Sequence, residues 1–348
     1  MTAVKHPSRE PAIVATGLTK VFRTPDKKPG LAGTLRHLVR PRYVTKPAVD
    51  GIDLAVGWGE SVAYVGPNGA GKSTTVKMLT GILQPTSGTV RVAGRDPHRD
   101  RTANARQIGV LFGQRPQLWW DLPVRDSLQV LRDMYKVPQA DYSRRLAEFD
   151  EVLGLGKLLP VVARKLSLGQ RMRADLAATF LHAPGVVYLD EPTIGLDIEV
   201  KDRVREFLRQ QVAGGTTLLM TSHDLRDIED VCRRLVIIDE GRIIFDGDLV
   251  AARDTFARER RLRLEFATDA DPAALQRLLP AAVVEQGAAP REVLVTFDRA
   301  ELGPTEVLDV LGRHATVVDF WLAEPAIEDV VRKVYSGELR QSADRPSS

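Results

Sequence analysis

The 348-residue chain reads as an α/β protein built on a largely parallel sheet, followed by a small α+β domain. Three observations carry that reading. From residue 51 to 247, short β-branched runs alternate with amphipathic helical stretches, as in Ser61–Val65 followed by 72–83, and 186–189 followed by 200–212. Strands separated by helices imply parallel pairing with helices on both faces. The alternation lapses after Gln117, where helical patterns at Val124–Tyr135 and 142–153 mark an inserted helical subdomain over about 117–182. Beyond residue 252 the order becomes strand (261–267), helix (272–279), strand (282–286), strand (292–297), helix (304–313), strand (317–322) and helix (327–335). That order fits a split βαβ domain over 258–337.

Composition narrows the function classes. Lys and Arg number 49 against 46 Asp and Glu, and 43% of residues are hydrophobic, which is ordinary globular chemistry with material for two or three cores. No apolar run approaches the roughly 18 residues of a spanning helix, and the first twenty residues lack a signal peptide's apolar core. The expected location is therefore the cytoplasm. A lone cysteine, Cys232, excludes an internal disulfide or a cysteine metal cluster and reads as a small buried apolar residue. Charge is uneven: residues 1–50 carry ten Lys/Arg and three Asp/Glu, a net of +7, and the rest of the chain is net −4. Most of that excess lies in the proline-punctuated stretch 23–47, a basic insertion that is either a solvated loop or a segment attracted to anionic lipid headgroups. Residues 1–10 are expected to be flexible and the polar tail 338–348 disordered.

The chemistry is concentrated in a few short motifs. Gly66-Pro67-Asn68-Gly69-Ala70-Gly71-Lys72-Ser73 matches G-x-x-x-x-G-K-[ST], with a strand before it and a helix after it, as a phosphate-binding loop requires. Its glycines let backbone N–H groups and a helix N-terminus face phosphates, Lys72 reaches the outer phosphates, and Ser73 offers an oxygen to Mg²⁺. The run 186–189 ends in Asp190 and Glu191, placed where the carboxyl end of a parallel strand faces a ligand crevice. Asp190 is the candidate for holding Mg²⁺ through water, and Glu191 for polarising an attacking water.

Leu166-Ser167-Leu168-Gly169-Gln170, with Ser167 lying 23 residues before Asp190, adds a third element at the start of a helix over 171–181. Together with Gln114, the turn Gly195-Leu196-Asp197 and His223 in Thr221-Ser222-His223-Asp224, the set resembles the ATP-binding cassette (ABC) ATPase family over roughly residues 13–249. The resemblance implies a P-loop NTPase cassette over 11–252, with a parallel-sheet core, an antiparallel β subdomain and the inserted helical subdomain. It implies ATP and Mg²⁺ as ligands, with Pro67, Asn68, Ala70 and Thr74 completing the cradle. It also implies a head-to-tail homodimer, in which Ser167, Gly169 and Gln170 of one copy meet the γ-phosphate on the other's cradle. By the same resemblance Gln114 touches Mg²⁺ and reports to a membrane subunit, Asp197 belongs to the dimer-bridging turn, and His223 contacts the γ-phosphate.

The chain departs from the family pattern at Leu168, where glycine is usual, and in the Gln114 loop, which is one residue longer and makes Gln117 a secondary candidate. Phe22 is the expected adenine-stacking ring and Tyr43 its rival. Trp119 and Trp120 read either as an edge of a permease-docking groove or as core. The region around 321–331 resembles the terminal domain of drug-, antibiotic- and sodium-exporting ATPase subunits. The expected role is thus an exporter's ATPase on the cytoplasmic membrane face, driving separate permease subunits, with no nucleic-acid partner. An importer ATPase and a soluble, non-transport ABC ATPase are the alternatives.

Overall fold

The computed structural model describes residues 10–25, 43–113, 116–256, 259–299 and 301–323. The chain divides after Gly247 into two compact units, five residues before the expected boundary at 252. In the first unit, β1 (Ile13–Pro25) pairs antiparallel with both β2 (Tyr43–Val56) and β4 (Ser87–Val92), giving the order β2-β1-β4. The strands of the basic insertion extend further than expected: Arg23, Thr24 and Pro25 pair with Thr45, Val44 and Tyr43. Pro47 is accommodated because β2 is an edge strand, where a missing N–H leaves no ladder partner bare.

The central sheet has six strands in the order β5-β6-β7-β3-β8-β9, formed by β3 (Ser61–Val65), β5 (Ile108–Phe112), β6 (Val186–Asp190), β7 (Thr217–Thr221), β8 (Arg234–Asp239) and β9 (Arg242–Asp248). The four neighbouring pairs from β5 to β8 are parallel. Every residue of β3 and β7 is buried, the pattern of a strand covered on both faces. α1 (Lys72–Leu79) follows β3 and buries Val76, Met78 and Leu79 in the same core as Tyr64 and Tyr188. It is shorter than the expected 72–83, because Gly81 turns left-handed at φ 81°. α2 (Arg101–Ala105) leads into β5.

The inserted helices are α3 (Val124–Tyr135), α4 (Gln139–Leu153) and α5 (Leu168–Phe180). α6 (Ile198–Ala213) and α7 (Leu225–Val231) return the chain to the sheet. Edge-to-face rings fix α5 beside its neighbours: Phe207 on α6 meets Phe180 at 5.1 Å and Phe149 of α4 at 5.5 Å. Cys232 is buried, and burial pushes its thiol pKa up.

The second unit opens with α8 (Leu249–Phe256) and then builds a four-stranded sheet. Its strands are β10 (Glu259–Phe266), β11 (Ala282–Gln286), β12 (Glu292–Asp298) and β13 (Val317–Ala323), in the order β11-β12-β10-β13 with every pair antiparallel. β12 lies between β10 and β11, so the connection through α9 (Pro272–Gln276) is a split βαβ unit. Leu262, Leu264 and Phe266 alternate into its core with Val293, Val295, Phe297 and Val307 of α10 (Pro304–Gly312). The expected helix 327–335 lies outside the described residues.

Candidate functional site

The loop between β3 and α1 is shaped by positions where only glycine fits. A Cβ on Gly66 would meet Ile238 O at 2.1 Å, and one on Gly71, at φ 108°, would meet Ala48 O at 2.3 Å. α1 therefore starts with no side-chain cap and no acid in its first turn, leaving its free N–H groups for a ligand. Lys72 Nζ donates to Gly66 O and Pro67 O, and burial lowers its pKa, opposed by Glu191 and Asp190. A cavity of about 320 Å³ opens here, lined by Ala48, Asn68, Gly69, Gly71, Lys72, Ser73, Thr74, Asp190, Glu191 and His223.

β6 and β7 supply the acids. Asp190 ends β6, and its Oδ1 accepts from Thr221 Oγ1 at 2.6 Å, which leaves Oδ2 facing the Ser73 hydroxyl at 3.5 Å. A hydroxyl and a carboxylate are hard oxygen donors, and Mg²⁺ uses only one or two protein ligands alongside water and phosphate. The pair fits that ion. Glu191 takes a left-handed backbone, φ 54°, which a non-glycine residue keeps only when its surroundings hold it. Here its N–H donates to Thr221 O at 3.1 Å and Thr221 Oγ1 at 3.2 Å. The twist aims the carboxylate at His223, whose N–H donates to Oε2 at 3.2 Å and whose Nε2 lies 3.2 Å from Oε1. Burial raises the Glu191 pKa, Asp190 adds to the rise, and His223 and Lys72 oppose it.

The remaining sequence candidates lie elsewhere. Ser167 caps α5: its Oγ accepts from Gln170 N at 3.3 Å while Gln170 Oε1 accepts from Ser167 N at 3.0 Å, a complete capping box. The helix thus begins at Leu168, three residues before the expected start at Arg171. Asp197 caps α6 by accepting from Val200 N at 2.9 Å. Ser167, Gly169, Gln170 and Asp197 do not line the cavity. The exposed Leu168 packs its Cδ2 where a Cβ on Gly195 would sit.

Phe22 is exposed, with Lys20 Nζ 5.5 Å from its ring centre. Its register partner Lys46 is two residues from cavity-lining Ala48, whereas Tyr43 is five residues away. Gln114 lies outside the described residues. Gln117 turns inward, its Nε2 bonding Val110 O and, at 3.0 Å, Thr179 Oγ1 of α5, so it is not aimed at the cavity. Trp119 and Trp120 are 40% and 48% exposed, with Arg171 over the Trp120 ring at 4.7 Å, which places them at the surface and not in the core.

Residues 49–194 match the family described as ABC transporter. The chain is 32% identical over 286 residues to the daunorubicin/doxorubicin resistance ATP-binding protein DrrA of Streptomyces peucetius, an alignment spanning 81% of this chain and 86% of that one. The chain belongs to the ABC transporter ATP-binding family. Another member, Nod factor export ATP-binding protein I of Paraburkholderia xenovorans (strain LB400), is 38% identical over 60% of this chain and 68% of its own. The solved structure of an ATP binding subunit of an ABC transporter superposes with a TM-score of 0.60 at 26% identity, covering 71% of this chain and 93% of that chain.

Two parts of this ABC cassette were not singled out from the sequence. Asp175 on α5 accepts from Gln117 N at 2.9 Å, and Asp227 on α7 gathers three donors around a buried carboxylate. Asp175 had a readable signal, since it falls on the apolar face of α5 with Met172, Leu176 and Thr179. Asp227 is recognisable only once its partners from distant segments are in place.

Proposed function

We propose that this ABC ATPase subunit binds and hydrolyses Mg·ATP as a homodimer. We further propose that it acts from the cytoplasmic membrane face on separate permease subunits, in the direction of export. The observation that carries the catalytic part is the Glu191–His223 pair standing at the Lys72 cavity. In this reading the N–H groups of residues 68–74 and Lys72 hold the phosphates. Ser73, Asp190 and Gln114 hold Mg²⁺, which when bound neutralises phosphate charge. Glu191 takes a proton from water as its oxygen bonds to the γ-phosphorus; the bond to the β–γ bridging oxygen breaks, releasing ADP and phosphate. Burial favours this role by bringing a carboxylate's pKa nearer the operating pH.

His223 orients Glu191 and contacts the γ-phosphate, and Phe22 stacks on adenine. Ser167, Gly169, Gln170 and Asp197 of a second copy complete the site, which is why they stand apart from the cavity of their own chain. Export is supported by the names of the relatives, which act in drug resistance and Nod factor export. The exposed Trp119 and Trp120 support a permease-docking surface. No helix of the described residues is long and apolar enough to cross a membrane, so a transport role calls for a partner that does.

The test is phosphate release by the purified chain with Mg·ATP, alongside Lys72→Ala. Turnover should be present in the native chain and abolished in the variant. Equal turnover by the two proteins would overturn the assignment.

A further inference from the structure

Behind the Glu191–His223 pair lies a group of polar side chains that the catalytic assignments leave without a task. Asp227, in the first turn of α7, has 1% of its side chain exposed, and Arg205 on α6 has 5%. The Asp227 carboxylate is approached from three directions. Arg205 Nε donates to Oδ1 at 2.6 Å, Ser222 Oγ donates to Oδ2 at 3.0 Å, and Thr193 Oγ1 also donates to Oδ2. Each donor belongs to a different segment: Thr193 follows Glu191 by two residues, Ser222 immediately precedes His223, and Arg205 sits on the helix that Asp197 caps. Arg205 is completed by Asp202 at 2.9 Å and Asp224 at 3.5 Å, and Asp224 also holds Lys201.

Stability alone does not account for this choice of residues. Removing a carboxylate and a guanidinium from water costs several kcal/mol per ion, and well-packed apolar residues of similar volume often serve stability as well or better. A carboxylate does something that apolar packing does not. Its acceptor sites lie in fixed directions, so it meets the Thr193 and Ser222 hydroxyls together only when both segments keep their register. Those segments carry Glu191 and His223. Thr193 is tied on one side of the nucleophile-activating pair and Ser222 on the other, through one shared oxygen.

We propose that Asp227 is a positioning residue for hydrolysis: it locks the segment after Glu191 to the turn before His223 and so sets the separation of that pair. The same carboxylate anchors both segments to α6 through Arg205, joining the pair to the helix whose first turn Asp197 caps. The inference rests on the reading of Glu191 as the base in ATP hydrolysis.

Steady-state kinetics and nucleotide binding on Thr193→Val, Thr193→Ser and Asp227→Asn test it, with the native chain and Lys72→Ala alongside. Thr193→Val removes one hydroxyl at nearly constant volume. Its kcat should fall on the order of tenfold or more, because small misplacements of a catalytic group are that costly. Its KM and its ATP affinity should stay within about twofold of native, since the phosphate cradle is on other segments. Thr193→Ser restores the hydroxyl and should turn over near the native rate, and Asp227→Asn should lose more kcat than Thr193→Val. If Thr193→Val and folded Asp227→Asn both turn over at the native rate, with only a lower Tm, Asp227 is structural and the proposal is wrong. Should Asp227→Asn fail to fold, the Thr193 pair decides alone. Failure of the hydrolysis reading looks different: the native chain would then show no Lys72-dependent turnover.

Discussion

Three helices whose starts carry the sequence motifs begin in two different ways. α1 starts at Gly71 with no side-chain cap and no acid in its first turn, whereas α5 and α6 start at Ser167 and Asp197, each of which caps its own helix. A cap satisfies an orphan N–H from within the chain, and a helix without one leaves that N–H to solvent or ligand. The phosphate side is thus kept open and assembled, with Lys72, Ser73, Asp190, Glu191 and His223 around one cavity. The Ser167 side is closed on itself: its hydroxyl oxygen accepts from Gln170 N, which leaves the O–H free to donate to a further partner. On the proposed reading, one half of the site takes a small ligand and the other meets a second copy of the chain.

The largest expected break in that contrast comes from Glu191→Gln. The open half keeps its cradle, so ATP affinity should be preserved, while hydrolysis should fall by about 10²-fold or more with the loss of the base. ATP should then hold two copies together, seen as a dimer on gel filtration at saturating ATP. Turnover at the native rate would mean that the base lies elsewhere; a monomer at high protein concentration would count against the homodimer.

Ser167 allows the capping and phosphate roles to be separated. Ser167→Ala should cost about 1 kcal/mol in stability through the lost cap. It should also lower turnover while leaving the ATP affinity of the isolated chain unchanged, because Ser167 is not in its own cavity. Ser167→Asp retains a good cap and should keep the native Tm, yet it brings a negative charge toward the γ-phosphate and should lower turnover further. Native turnover by Ser167→Asp would confine Ser167 to capping.

The open half was more legible in sequence than the closed half, for a physical reason. A phosphate cradle needs glycine at fixed positions, and Gly66 and Gly71 have no alternative because a Cβ would strike backbone. Asp190 and Glu191 are marked by standing at the end of an apolar strand. The positive φ of Glu191 has no signature of its own, since it is imposed by Thr221 thirty residues away. The S-x-x-Q spacing of Ser167 and Gln170 was a readable capping box, but its resemblance to a ligand-binding motif drew the reading outward. In β1 and β2, prolines suggested a loop where edge-strand pairing prevails. In the second unit β10 and β12 were legible because each shows one face to a core and one to solvent, whereas β13, with Val318, Phe320 and Trp321 exposed, has no such alternation and was marked by its β-branched and aromatic residues.

The smallest expected effect concerns how the closed half is held, through two buried titratable groups of opposite sign. Asp175 sits on α5, and burial pushes its carboxyl up to about 6, against backbone N–H donors that lower it. His182 lies just past the end of that helix, its Nε2 3.0 Å from Ile108 O and its ring stacked on Tyr135 at 3.9 Å; burial pushes it down to about 4. Asp175 binds its proton more tightly folded than unfolded, so its contribution is present below pH 3.8 and lost as pH rises through about 6. His182 binds its proton less tightly when folded, so its contribution is present above pH 6.5 and lost as pH falls through about 4. Between about pH 4 and 6 the two slopes oppose each other, and these groups leave the native chain's stability nearly flat in pH. Asp175→Asn removes one of them while retaining an oxygen acceptor for Gln117 N. Its stability should climb with pH across that window, differing from native by roughly 1–3 kcal/mol between the two ends. Urea denaturation at a series of pH values reads this directly. A profile parallel to that of the native chain would mean that Asp175 ionises as freely folded as unfolded, and that α5 is not held by a buried acid.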